Sequence, residues 1–88
     1  MKIKDGFVLR DIAGDTVVIA TGELSKTFYG MIKLNSTGKE IWQILSSGDV
    51  TEEYVIEEMA KRHDAKPEEI SEGVIAFISK IKEAGLFE

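Results

Sequence analysis

The sequence predicts an α+β fold in which a three-stranded antiparallel sheet is followed by three helices. Before Asn35, β-branched and aromatic residues occur in short runs separated by Gly and Asp, which is typical of strands joined by turns. After Asn35, three longer stretches place apolar residues at helical spacing. Because 88 residues suffice for one hydrophobic core, we expect a single domain that spans residues 1–88.

The predicted strands span residues 7–12, 16–21 and 31–34. The first alternates, with Phe7 and Leu9 on one face. The sequence Ala13-Gly14-Asp15 predicts the turn of a hairpin, and the Val/Ile run after it predicts the second strand. A polar stretch that ends in Phe28-Tyr29-Gly30 then leads into the third strand.

The predicted helices span residues 36–47, 52–63 and 67–84. Each one follows or opens with a residue type that favours helix starts, namely Asn35 or Ser36, Thr51, and Pro67. Gly48 and Gly85 are placed to end the first and third helices. Together with the sheet, these elements predict a small domain of winged-helix type.

The third helix has an apolar face about 120° wide, the width of a stripe that faces a core. Its members are Ile70, Val74, Phe77, Ile78, Ile81 and Ala84. Gly73 lies inside this helix, where glycine costs about 1 kcal/mol relative to alanine. We therefore expect another group to approach the backbone closely at Gly73. In the first helix, Trp42 is expected to be buried and to anchor the helices to the sheet.

Composition argues against catalysis and metal binding. The chain has no cysteine and one histidine, His63, so a thiolate zinc site or a histidine pair is not possible. Six of its 16 carboxylates occur as three adjacent pairs on the predicted helices, where neighbouring side chains diverge by about 100° and do not share a proton or a metal. No glycine pattern fits a phosphate-binding loop. We expect no catalytic residue, no metal and no cofactor, and therefore no enzyme.

Charge disfavours nucleic acid as a partner. The net charge is −5, whereas affinity for nucleic acids depends on Lys and Arg. The third helix also begins with Glu68, Glu69 and Glu72. Lys80 and Lys82 lie further along it, so a winged-helix DNA-binding regulator stays open as the alternative. No signal peptide or membrane-spanning stretch is evident, and a cytoplasmic protein without a membrane partner is expected.

The start of the first helix resembles a known family. Leu34-Asn35-Ser36-Thr37-Gly38, followed by Ile41-Trp42, resembles the strand-to-helix signature of the PqqD-like peptide chaperones. Further matches are Gly30-Met31-Ile32, Val74, Phe77-Ile78, Ile81 and Ala84-Gly85-Leu86. The chain departs from the family pattern at Tyr29, where Asn is frequent, and at Gly73, where an acidic residue is common. The resemblance covers nearly the whole chain.

The resemblance implies a recognition element that binds the leader segment of a ribosomally synthesised precursor peptide and presents it to a modifying enzyme, such as a radical SAM enzyme. The leader would add as a strand to the edge of the third strand and pack against the third helix. The implied peptide-binding residues are Gly30, Met31, Ile32, Lys33, Leu34, Ile70, Gly73, Val74, Phe77 and Lys80.

Three further points stay open in the sequence. Val74 and Phe77 could equally be core residues, and Gly73 could equally mark tight packing against a neighbouring strand. An exposed strand edge is also compatible with a monomer or with an edge-paired or strand-exchanged dimer.

Overall fold

The computed structural model describes residues 1–28 and 30–88, and Tyr29 lies outside the described residues. The strands are β1 (Phe7–Ile12), β2 (Asp15–Ala20) and β3 (Met31–Leu34), and the helices are α1 (Ser36–Leu45), α2 (Glu52–Arg62) and α3 (Pro67–Glu83). A short 3-10 helix, Gly22–Lys26, separates β2 from β3. The predicted α+β class is confirmed. The winged-helix likeness is loose and rests on three helices beside a small sheet.

The three strands form one antiparallel sheet in the order β1-β2-β3. The central strand places Val18 opposite both Leu9 and Ile32. Because side chains alternate along a strand, β3 turns Ile32 and Leu34 towards the helices and Met31 and Lys33 towards the other face. The burial of Leu34 and the exposure of Met31 follow this alternation.

The β1–β2 turn is one residue shorter than the sequence suggests. Ile12 lies opposite Asp15, so the loop consists of Ala13 and Gly14 alone. Both have positive φ, 52° and 88°, as a type I′ hairpin turn requires. This tight turn places Asp15 in β2, and the strand ends at Ala20 instead of residue 21. Thr21 instead donates its amide and hydroxyl hydrogens to the Gly6 carbonyl, at 2.7 and 2.8 Å.

The helices end one or two residues before their predicted ends. After α1, the hydroxyl groups of Ser46 and Ser47 donate to the carbonyls of Trp42 and Ile44, at 2.8 and 2.6 Å. Serine hydroxyls that bond nearby carbonyls in this way compete with the helical pattern. The 3-10 helix has no apolar period and was not predicted. None of the described helices is long and apolar enough to span a membrane.

The core lies between the inner face of the sheet and the three helices. Trp42 is 3% exposed, which confirms its predicted burial, and its ring meets Phe7 edge to face at a centroid distance of 6.3 Å. Ile75 is exposed, in agreement with its position outside the predicted apolar arc. Ala84 was expected on that arc and is exposed, because α3 has ended there and Leu86 fills the core instead.

The two ends of the described chain run side by side. The amide of Lys4 donates to Leu86 and that of Glu88 donates to Lys2, both at 2.8 Å. The ammonium group of Met1 donates to the Asp49 carboxylate at 2.8 Å. This hydrogen bond holds the pKa of the Asp49 carboxyl below its ordinary value. The two backbone hydrogen bonds of Lys4 and Glu88 fix the segment after α3 against the start of the described chain. Leu86 is thereby held in the core.

Candidate functional site

The outer edge of β3 is unpaired among the described residues. Thr16 to Ile19 of β2 pair with Leu34 to Met31 along the other edge, and the sheet order leaves no strand beyond β3. Gly30 precedes the strand with a φ of +88°, a left-handed conformation that glycine adopts readily. An unpaired edge presents backbone N–H and C=O groups that a further strand can pair with.

A groove of about 370 Å³ opens beside the end of β3, between the first turn of α1 and one flank of α3. Its apolar lining consists of Ile41, Ile70, Val74 and Phe77. Its polar rim consists of Asn35, Thr37 and Glu69. Asn35 is the N-cap of α1, and its side chain accepts a hydrogen bond from the Gly38 amide at 2.7 Å. The same residue therefore fixes the start of α1 and one rim of the groove.

Gly38 allows α3 to pack against the β3–α1 junction. A Cβ atom on this buried residue would lie 3.0 Å from Phe77 Cε2 and 3.2 Å from Asn35 Oδ1, which is closer than carbon atoms normally pack. The missing side chain lets the Phe77 ring rest on the first turn of α1. The packing of Phe77, which shapes the groove, thus explains why the Leu34–Gly38 sequence ends in glycine.

Gly73 has the opposite environment. It is exposed, and a Cβ atom built on it would meet no described heavy atom within 4 Å outside its own helix. The alternative interpretation of Gly73, tight packing against a neighbouring strand, is therefore excluded for the described residues. Gly73 lines the groove, so the backbone of α3 is open to a ligand at this point.

Leu34 and the predicted non-glycine site residues of α3 divide into three groups by burial. Leu34 and Val74 are 8% and 1% exposed, so their side chains belong to the core, and Val74 contributes only to the groove floor. Ile70 and Phe77 are half-buried between core and groove. Lys80 is exposed and does not line the groove. At 100° per residue it lies on the same flank of α3 as Gly73.

The three remaining β3 residues differ in exposure. Met31 is 59% exposed, Ile32 is half-buried, and Lys33 forms an ion pair with Asp15 at 3.4 Å. A strand added beside β3 would run past the backbone of all three residues. Only Ile32 also faces the helices.

Sequence reasoning missed the wall that α1 contributes. Asn35, Thr37 and Ile41 line the groove together with Glu69. The first three occur in the family signature, which identified them as a pattern without indicating what they face. Glu69 precedes Gly73 by four residues, and helical spacing alone places the two on one flank.

Chemically, the groove combines an apolar floor, a carboxylate at the rim and a nearby unpaired strand edge. Such a site can bury an apolar side chain while the edge binds a backbone. Among the described residues, no group of three or more His, Cys, Asp or Glu side chains is placed to hold a metal ion.

The chain belongs to the Coenzyme PQQ synthesis protein D (PqqD) family, whose family model matches residues 7–86. The fold is similar to that of TbiB1, solved in complex with the TbiA(beta) leader peptide, with a TM-score of 0.74 at 19% sequence identity. That alignment covers 100% of this chain and 95% of the TbiB1 chain. No curated protein matches the sequence.

Proposed function

We propose that this protein binds the leader segment of a ribosomally synthesised precursor peptide and presents it to a modifying enzyme. The observation that carries the proposal is the unpaired edge of β3 beside a groove in which the α3 backbone is open at Gly73. Membership of the PqqD family supports it. The similar fold of TbiB1, which was solved with a leader peptide, supports it further.

In this mechanism the leader adds to the sheet as a fourth strand. Hydrogen bonds from the β3 backbone supply affinity that does not depend on the leader sequence. Alternate leader side chains face the groove, where Ile70 and Phe77 bury them, and this burial supplies specificity. The protein itself performs no reaction in this scheme and acts by holding the peptide.

The remaining partners follow from the same mechanism. A modifying enzyme must act on the part of the precursor that stays outside the groove. A precursor made on ribosomes is first available in the cytoplasm, which is where we place the complex. Without a peptide, the β3 edge can pair with a second copy of the chain, so the free protein is a monomer or an edge-paired or strand-exchanged dimer.

No observation favours the DNA-binding alternative. The first turn of α3 carries Glu68 and Glu69, which would repel phosphates at the place where a recognition helix makes its contacts.

Substitutions at Gly73 test the peptide site. A candidate precursor peptide, sought among short reading frames near the gene, is labelled, and its affinity is measured for the wild type, Gly73→Ala and Gly73→Leu. We expect affinity to fall with side-chain size, by about tenfold or more for leucine, since a lost contact of 1.4 kcal/mol corresponds to tenfold. The reason is that a larger side chain fills the groove where the peptide must approach α3.

Ser79→Leu is the matched control, because Ser79 is exposed on α3 and lies about 100° or more from Gly73 around the helix. This variant should bind the peptide as the wild type does. If the wild type does not bind the precursor peptide, or if Gly73→Leu binds as tightly as the wild type, the proposed site is wrong. Binding of duplex DNA in place of the peptide would favour the regulator.

A further inference from the structure

The lining of the groove carries a single formal charge, and that charge is negative. Of the described residues that line it, only Glu69 has an ionisable side chain. Glu69 is exposed at the rim and lies beside the apolar surface of Ile70. A carboxylate beside an apolar floor interacts more strongly with a ligand charge than one surrounded by water, because the effective dielectric constant is lower there.

The surroundings of Glu69 do not cancel this charge. Within residues 1–28 and 30–88 it forms no ion pair, and Lys66, one turn earlier on the same segment, does not approach it closely enough to form one. Glu72 follows on the neighbouring surface of α3 and adds negative charge. The amides at the start of α3 contribute only about half a positive charge, which Glu68 and Glu69 together exceed.

We infer that Glu69 is a specificity-determining residue that selects a lysine or arginine in the bound leader. The inference rests on the proposed function, because it assumes that an extended peptide occupies the β3 edge and the groove. The net charge of −5 acts in the same direction, since a negative protein attracts a basic segment.

The spacing on the peptide follows from the geometry of the two elements. Glu69 and Gly73 are four residues apart on α3, which is about one helical turn, or roughly 6 Å along the axis. In an extended peptide, side chains on one face recur every second residue, about 6.8 Å apart. For a peptide that runs along the α3 axis, an apolar side chain over Gly73 places the side chain two positions away beside Glu69. The recognised pattern is an apolar residue and a basic residue separated by one position.

The other end of this flank has no comparable preference. Lys80 lies eleven residues after Glu69 and does not line the groove. Lys80 and Glu83 form no ion pair among the described residues, but because Lys80 lies outside the groove it does not set the charge preference there. The charge selection is accordingly assigned to Glu69 alone.

A displayed library of random ten-residue peptides tests the inference. Peptides are selected on immobilised wild type, on Glu69→Lys and on the matched control Glu68→Lys, which changes the same charge in the same turn on a different face of α3. We expect the wild type and Glu68→Lys to enrich Lys or Arg two positions from an apolar residue. Glu69→Lys should enrich Asp or Glu there. Reversing the charge of a selected peptide should weaken wild-type binding by about threefold to fivefold, the range for a partly exposed ion pair.

The possible failures separate the two proposals. If all three proteins enrich an apolar residue without a charge preference, or if Glu68→Lys changes the preference as much as Glu69→Lys, the role of Glu69 is wrong and leader binding stands. If no selected peptide loses binding to Gly73→Leu, both proposals are wrong. Should Glu69→Lys fail to fold, Glu69→Gln replaces it, and the basic preference should then be lost without being reversed.

Discussion

At the scale of single residues, two glycines in helices serve opposite purposes. Gly38 is buried and leaves room for the Phe77 ring, whereas Gly73 is exposed and leaves the α3 backbone open. The sequence marked Gly73 as unusual, because glycine is costly within a helix. It could not explain Gly38, because the ring that needs the space belongs to a residue on another helix. Glycine roles of this kind become visible only when the elements are packed together.

This contrast predicts different effects of the same substitution. Gly73→Ala should stabilise the protein by about 1 kcal/mol, since alanine favours the helix and has free space at this position. Gly38→Ala should give no such gain, because its methyl group would meet Phe77 and Asn35. Urea unfolding followed by the fluorescence of Trp42, the one tryptophan in the chain, measures both. Equal stabilisation by the two substitutions would contradict the packing role of Gly38.

At the scale of elements, the sequence predicted the three strands and the three α-helices, together with the limits of β1 and β3 and the helix starts. It missed the 3-10 helix, the limits of β2 and the helix ends. Periodicity and helix-start residues located the predicted elements, because these signals are local. The limits at Asp15 and Leu45 depend on a two-residue turn and on serine hydroxyl bonds, and the composition of those segments does not reveal either. The β3 half of the candidate site was predicted, but the α1 wall was not. That wall depends on how α1 packs against α3, which no local pattern describes.

Substitutions in the β1–β2 turn test its type I′ geometry. Ala13 has a φ of 52°, a conformation that disfavours alanine and that asparagine tolerates. Ala13→Asn should therefore raise the melting temperature, by an amount that corresponds to about 1 kcal/mol. Gly14→Ala should lower it, because φ is 88° there, although no described atom lies within 4 Å. A turn that tolerates both substitutions equally would not be type I′.

Proline substitutions in β3 test whether its edge binds the peptide backbone. Successive amides along an edge strand alternate between the neighbouring strand and the open side. Of Ile32→Pro and Lys33→Pro, one should therefore lower the melting temperature by breaking a bond to β2. The other should leave the melting temperature nearly unchanged and weaken peptide binding. If the variant that keeps its stability also keeps its full affinity, backbone pairing at this edge is not part of binding.

At the scale of the whole molecule, one small core holds the sheet and helices in the arrangement that forms the groove. Trp42 is central to it, being 3% exposed and in edge-to-face contact with Phe7. Trp42→Ala should cost about 3–5 kcal/mol, which is a large share of the 5–15 kcal/mol that is typical of a folded domain. Calorimetry measures this change. An unaltered melting temperature would show that the core does not depend on Trp42.

The central claim is that an extended leader lies along β3 and in the groove against α3. Its most direct test is to follow the backbone amide shifts of isotope-labelled protein during titration with a candidate precursor peptide, sought among short reading frames near the gene. Leader binding along β3 and in the groove predicts shifts concentrated at residues 31–34, at Gly38 and at residues 70–81. Shifts confined to α2, or no shifts at a peptide concentration of about 1 mM, where even binding of about −4 kcal/mol would be detected, would contradict it.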